Sequence, residues 1–433
     1  MTGSAAEPVD GWVITVGDEL LNGVRVDTNT AWLADRLASI GVKVVRAISV
    51  RDRQEDIRAV VAESLANADV VIVSGGLGPT EDDVTRQAIA DLFDADLLRS
   101  SEVEAAVRSF FEDRGRTVSE VNLDQALVPE GFEYAVNPRG TAPGLMKRLD
   151  GRFLFILPGV PGEMKALYES WVEPVLREAH GDRPGVRRKW FRTTGIGESD
   201  LSDRIGRLDD LSPFVSVGYL PSAFGTAIYL TGSSSGGKEE DRCFAAAEER
   251  IRKGAGDYLF ADSDQELPEH IADLLTTSGQ TLATAESCTG GLIAGSLTDV
   301  PGASTWFLRG WVVYSNQSKE EELRVPHDLL LEHGAVSAEV ARAMAEGARD
   351  AAASDYALSV TGIAGPTGGT EDKPVGLTFI GCSGPDGTVV REYHLGTMGR
   401  RYNKQRSMVN ALDLLRRLIT GLDPMAGGWE TPG

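Results

Sequence analysis

Three times in the first eighty residues, a short apolar run ends in a polar or glycine-rich turn that leads into a helix-patterned stretch. WVITV (12–16) is followed by GDELLNG, VKVVRAISV (42–50) by RDRQ, and ADVVIVSGG (68–76) by LGPTEDD. Between them, TAWLADRLASI (30–40) places Leu33, Leu37 and Ile40 on one helical face, with Asn29 or Thr30 as a candidate cap. QEDIRAVVAESLA (54–66) reads as a second helix. Parallel strands need such crossovers, so the alternation restricts this part of the chain to βαβ units and a mostly parallel, doubly wound sheet. Helices near 81–93, 101–114 and 162–178 and a strand FLFIL (153–157) complete the layer.

A polar stretch, HGDRPGVRR (180–188), ends this pattern. KWFRTTGI, ESDLSDRI, PFVSVGYL and TAIYLTG then read as a small α+β module that carries the turn GSSSGGKEED (232–241) and a helix near 238–253. A second α/β pattern begins near 265. Helices are expected over 266–278, 290–298, 317–332, 337–352 and 401–420, with strands over 280–285 and 309–314 and in YALSVTG, VGLTFIG and TVVREYHL. The fold class is α/β, divided as 1–180, 186–260 and 262–422. The segment from 262 onward is expected to be self-sufficient, and the Gly/Pro-rich tail after Gly421 to fray.

Charge and cysteine content narrow the function. Acidic residues number 65 against 43 basic, a net charge of −22, so the chain lacks the overall basic character of a dedicated nucleic-acid binder. Three scattered cysteines form no C-x-x-C and no disulfide framework, which fits a reducing, cytoplasmic setting. The start MTGSAAEPVD has no signal-peptide pattern, and no apolar run approaches the ~20 residues of a membrane span.

The first candidate site lies where the N-terminal strands end, the usual ligand edge of an open α/β sheet. Gly75, Gly76 and Gly78 allow backbone N–H groups to approach an anion. Thr80 is a candidate cap of the next helix, whose start favours phosphate. Glu81, Asp82 and Asp83 follow as hard oxygen donors suited to a divalent metal such as Mg, Mn or Co. The same residues could simply form a tight turn with acids at a helix start. Neither a P-loop nor a G-x-G-x-x-G fingerprint is present.

The second site is TAESCTGG. Ser287 stands at a strand-to-helix junction, and Thr289, Gly290 and Gly291 open the helix, whose N–H groups could hold a phosphate or an oxyanion. YSNQSK brings Tyr314 and Lys319 to the neighbouring strand end. A desolvated, neutral lysine can serve as base to a serine, with Tyr314 relaying a proton or fixing the lysine. A third glycine-rich loop, 361–376, with Thr361, Gly362 and Gly365, would wrap phosphate or ribose. Taken singly, Ser287 could be a helix cap, Tyr314 a core residue and Lys319 a solvated cation. Cys288, with no histidine partner, reads as a small buried filler.

GDELLNGVRVDTNTAWLADRL, SGGLGPTEDDVT, NPRGTAPG and LPGVPGEM resemble the molybdopterin-binding fold as it occurs in the competence/damage-inducible CinA family. AESCTGGLIAGSLTDVPGAS, WVVYSNQSK, GAVSAEVARAMAEGA and TGIAGPTGGTEDKPVG resemble that family's nicotinamide-nucleotide amidase domain, and GIGES and YLPSAFGTAIYLT its middle module. The resemblance implies two activities. The C-terminal domain would hydrolyse the amide of nicotinamide mononucleotide (NMN) without a cofactor, with Ser287, Tyr314 and Lys319 as its catalytic residues. The N-terminal domain would cleave ADP-ribose to AMP and ribose 5-phosphate with a divalent metal, and Asp52 and Asp83 match the functional aspartates of the molybdenum-cofactor relatives. Asp18 stands where many members of the family carry Thr, closer to the molybdopterin side. A homodimer is also implied. The alternatives are a molybdopterin-type ligand-binding protein and a competence or recombination adaptor without catalysis.

Overall fold

A computed structural model describes residues 9–181, 185–211, 214–233 and 237–428. The expected linker at 180–188 and turn at 232–241 lie partly outside the described residues, as does the extreme N-terminus. The chain divides into two compact units, one comprising Met1–Arg187 with Ser233–Gly237 and the other Arg188–Gly232 with Lys238–Gly433. No helix among the described residues is long and apolar enough to cross a membrane.

The first unit is built on a six-stranded sheet in the order 42–50, 9–16, 70–74, 152–157, 144–149, 133–135. The first four strands run parallel, and the last two add an antiparallel edge. Alternation along each strand divides the apolar residues between two helical layers. Trp12, Ile14, Val71 and Val73 pack with Ile57, Val61 and Ile89 on one face. Val13, Val70 and Ile72 pack with Leu33, Leu37 and Leu167 on the other.

The second unit combines two sheets. Strands 215–221, 226–233, 186–193 and 259–261 form a four-stranded sheet in that order, with helices Glu198–Ile205 and Lys238–Ala255 closing its core. The larger sheet has the order 307–312, 282–286, 356–362, 377–384, 387–394. Its first three strands are parallel and the rest antiparallel. Leu282, Leu358 and Val360 face the helices Leu267–Ser278 and Arg400–Thr420. Ala283, Ala285 and Ala357 face Ala338–Ala352, so helices cover both faces.

Several expected elements differ. The helix expected over 30–40 spans Thr28–Ser39, and its cap is Asp27, whose carboxylate accepts from Thr30 N at 2.9 Å. The helix expected over 81–93 begins only at Thr85, because residues 75–84 form a closed loop in which Asp83 N donates to Thr80 O and Thr85 N to Gly76 O. The helix expected over 317–332 breaks into Asn316–Leu323 and His327–His333, where Arg324 takes a left-handed φ of 57° and Pro326 follows. The tail is held as far as Gly427: Arg391 donates to the carbonyls of Pro424, Ala426 and Gly427.

The middle module is joined to the last helix by buried charge. Asp413 pairs with Arg416 at 2.7 Å and Arg417 at 2.9 Å, all three being at most 3% exposed. Arg416 donates to Asp257 O at 2.8 Å, and Arg406 to Ser222 O at 3.1 Å.

Candidate functional site

In the second unit, parallel pairing sets Glu286 opposite both Val312 and Val360, so three strands end side by side. Ser287 follows directly and is anchored by its N–H to Val360 O at 2.9 Å. Lys319 reaches it from the helix Asn316–Leu323, which Ser315 and Ser318 start as a capping box. Its Nζ lies 3.2 Å from Ser287 Oγ and donates to Val313 O at 2.8 Å and Ser315 O at 3.4 Å. Lys319 is 0% exposed, with no carboxylate among these partners. Burial lowers its pKa from the ordinary lysine value. A serine hydroxyl beside a lysine biased toward its neutral form is a nucleophile–base pair.

Cys288 is a packing residue. It lies in the hydrophobic core, and burial pushes its thiol up to about 12, far from a reactive thiolate.

The helix start after the double glycine is not free for an anion, contrary to expectation. Glu286 is fully buried, and its carboxylate accepts from the N–H groups of Gly291 (3.0 Å), Ile293 (3.1 Å) and Ala294 (2.8 Å). The helix Leu292–Thr298 therefore carries an internal anion where a phosphate was expected. Gly291 takes φ 90° to let the chain turn there. Gly290 N donates to Ser287 O at 3.1 Å, which leaves the amides of Cys288 and Thr289 as those beside Ser287 that these bonds do not use. Thr289 itself is buried, and its hydroxyl has no partner among the described residues.

Tyr314 does not fix the lysine; the Val313 and Ser315 carbonyls do. Its ring is 60% exposed, and its Oη accepts from Arg400 Nη2 at 2.8 Å. Arg400 also donates to Gly365 O at 3.1 Å, which brings the third loop to the same rim. Thr361 and Gly362 are not presented to a ligand. Thr361 is buried with its hydroxyl donated to Ala335 O at 2.7 Å, and a Cβ on Gly362 would meet Leu377 O at 2.8 Å.

Two cations at this rim are absent from the sequence reading. Arg400 and Lys404 lie one turn apart at the start of the helix Arg400–Thr420, and Lys404 Nζ stands 3.4 Å from where a Cβ on Gly290 would be. Their signal is electrostatic. A first turn carrying Arg400 and Arg401 and no acid opposes the helix dipole, so these charges do not serve the helix.

In the first unit, the strand-end loops enclose a cleft of about 690 Å³ that includes Asp52, Gly75, Gly76, Gly78, Asp82 and Asp83 in its lining. The three sequence elements thus meet, together with a fourth, the 157–163 turn, that carries Glu163. Burial raises the Glu163 pKa, while Asn137 donates to its carboxylate at 2.7 Å.

Thr80 does not cap the following helix. Its N–H and hydroxyl both go to the Asp83 carboxylate, at 2.9 and 2.5 Å, so Thr80 and Asp83 brace the loop. A Cβ on Gly78 would strike that same carboxylate, and one on Gly75, whose φ is 120°, would strike Val16 O. These glycines are required by the protein's own packing, whether or not an anion binds.

Asp52 accepts from Asp18 N at 2.8 Å. Burial raises its pKa; that hydrogen bond works the other way, and Asp18, Glu19 and Asp82 add repulsion. Such crowding of carboxylates fits a hard cation. Among the described residues, however, no three His, Cys, Asp or Glu side chains converge to hold a metal, so an ion here would need oxygens from its ligand as well.

Comparison with known proteins covers nearly the whole chain. The family described as "Probable molybdopterin binding domain" matches residues 12–178, "Damage-inducible protein CinA KH domain" matches 188–261, and "CinA C-terminal domain" matches 264–419. A CinA-like protein of Chlorobium luteolum is 42% identical over 92% of this chain and 94% of its own length. One of Salinibacter ruber is 41% identical over 94% and 99%. The crystal structure of a competence/damage inducible protein from Agrobacterium tumefaciens is 40% identical, covers 35% of this chain and 93% of its own, and superposes with a TM-score of 0.35.

Proposed function

The chain belongs to the CinA family, and on that premise we propose that it is a two-site hydrolase of pyridine-nucleotide salvage. The observation that carries this reading is the buried Lys319 amine, its pKa lowered, 3.2 Å from Ser287 Oγ. Ser287 attacks the amide carbonyl of NMN while Lys319 takes its proton. The tetrahedral oxyanion is met by the amides of the 288–289 turn, and the proton passes to the departing ammonia. Water then hydrolyses the acyl-enzyme to nicotinate mononucleotide, again with Lys319 as base. Arg400 and Lys404 hold the substrate phosphate, and Tyr314, tied to Arg400, orients that rim. This half needs no cofactor.

The cleft of the first unit serves ADP-ribose, which it cleaves to AMP and ribose 5-phosphate. A divalent ion held by Asp82 and Asp52, with Asp83 bracing the loop, would supply charge neutralisation at the diphosphate. The protein's own part is to bind the diphosphate at the glycine loop and to orient it between Asp52 and Glu163. Ammonia release from NMN by the purified chain tests the first half. It should be abolished in Ser287→Ala, with ADP-ribose cleavage kept, and largely kept in Cys288→Ala. Loss in the cysteine variant alone would sink the dyad.

A further inference from the structure

The cleft of the first unit holds buried acceptors that nothing among the described residues satisfies. Gln125 lines it and is 2% exposed, yet its Oε1 has no hydrogen-bond partner among the described residues. Asn29, also in the lining and 8% exposed, donates to Ser74 Oγ and Gly159 O, but its Oδ1 is likewise unpartnered. Buried carbonyl oxygens are rarely left without a donor, and when two line one cleft, a ligand carrying donors is the natural partner.

Gln125 is fixed in register with the glycine loop. It sits on a short 3-10 turn, Asp124–Ala126. The buried guanidinium of Arg86 donates to Asp124 O at 3.2 Å and to Leu77 O at 2.8 Å. One cation therefore ties the loop expected to hold phosphate to the turn that carries the amide. An amide set at a fixed offset from a phosphate loop is placed to read the base of a nucleotide.

We propose that Gln125 is the specificity-determining residue of this cleft, reading the N6/N7 edge of an adenine. The inference rests on the reading of the cleft as an ADP-ribose site. The 6-amino group donates to Oε1, and the amide NH₂ donates to N7, so donor and acceptor match at both positions. A 6-oxopurine shows two acceptors on that edge and would leave Oε1 facing a carbonyl oxygen. A site built to pair a polar group discriminates strongly against an analogue that leaves it unpaired.

The test is calorimetric binding of AMP, IMP and 7-deaza-AMP to the full chain, with ADP-ribose cleavage followed separately. The wild type should bind AMP at least about 10-fold more tightly than IMP, and 7-deaza-AMP, which lacks N7, should fall below AMP. Gln125→Met, close in volume, should bring AMP down to the IMP level and leave ribose 5-phosphate binding unchanged. Equal binding of AMP and IMP, equal binding of AMP and 7-deaza-AMP, or a preference that survives Gln125→Met overturns the assignment while leaving ADP-ribose cleavage as its own result. The two wild-type comparisons stand even if the variant misfolds. Binding of none of the three nucleotides would overturn the nucleotide reading of the cleft and this assignment with it.

Discussion

At the residue scale, the chemistry turns on one amine. Lys319 is held by two backbone carbonyls and a serine hydroxyl in a buried setting, where its charged form is penalised. Amide hydrolysis should therefore fall on the acid side as Lys319 takes up a proton. The midpoint should lie below the ordinary lysine value, because the folded pKa is depressed. A pH–rate profile of kcat/KM that is flat through that range would remove lysine as the base. Lys319→Arg keeps the charge but cannot lose it, and should cost about 10²–10⁴-fold in kcat with folding intact by circular dichroism. The same depression bears on stability. Between the folded and ordinary lysine pKa values the unfolded chain binds more protons, so this group makes the folded state more stable as pH rises through that window.

At the element scale, helix starts are where local pattern and tertiary use diverge. The helix Leu292–Thr298 has no Ser, Thr, Asp or Asn at its N-cap, only Gly291, and the missing acceptor comes from Glu286 on the preceding strand. Glu286→Gln would replace a charged acceptor of three N–H groups by a neutral amide whose NH₂ faces donors. It should destabilise the protein by about 1–3 kcal/mol in urea unfolding and misplace Ser287, raising KM for NMN as well as lowering kcat. An unchanged midpoint would mean that the carboxylate is dispensable to the turn. The helix Arg400–Thr420 shows the converse: Arg400, in a first turn without an acid, works against the dipole and donates to Tyr314 Oη and Gly365 O at the rim. Lys404→Ala should accordingly raise KM for NMN about 10-fold or more, with little effect on hydrolysis of an uncharged nicotinamide analogue. A matched loss on both substrates would assign Lys404 a structural role instead.

At the scale of the molecule, one compact unit that begins at Arg188 holds both the middle module and the α/β pattern expected to begin near 262. The buried Asp413–Arg416–Arg417 group is completed from the middle module by Asp257 O and from the tail by Asp423 O. A fragment of residues 188–433 is therefore expected to fold, to deamidate NMN and to be indifferent to EDTA. Cutting at 262 removes the carbonyl partners of Arg406 and Arg416 and should lower the urea midpoint markedly. Equal midpoints for the two fragments would show the module to be energetically independent. Within the full chain, Asp413→Ala leaves two buried guanidinium groups without their carboxylate and should cost about 3–5 kcal/mol.

The parallel strand–helix alternation of both sheets, the α/β class and the placing of Ser287, Lys319 and the 75–83 loop at strand ends were legible in the sequence, whereas the antiparallel edge strands 133–135 and 144–149 were not. Each legible feature follows from periodicity and turn chemistry within a window of a dozen residues. The pairing of Ser287 with Lys319 was also within reach, because adjacent parallel strands put consecutive strand ends side by side. What only the tertiary structure decided is how competing polar groups share partners. Glu286 rather than a ligand takes the N–H groups of its helix, Arg400 rather than Lys319 takes Tyr314, Asp83 takes Thr80, and Gln125 keeps an acceptor with no partner among the described residues. The first and third are local in sequence and turn on which of several nearby polar groups wins the partner, whereas the Tyr314–Arg400 contact is set by sheet register and helix packing. In the widest case, Arg400 comes to the rim from 86 residues beyond Tyr314, a separation across which no local hydrophobic pattern carries information.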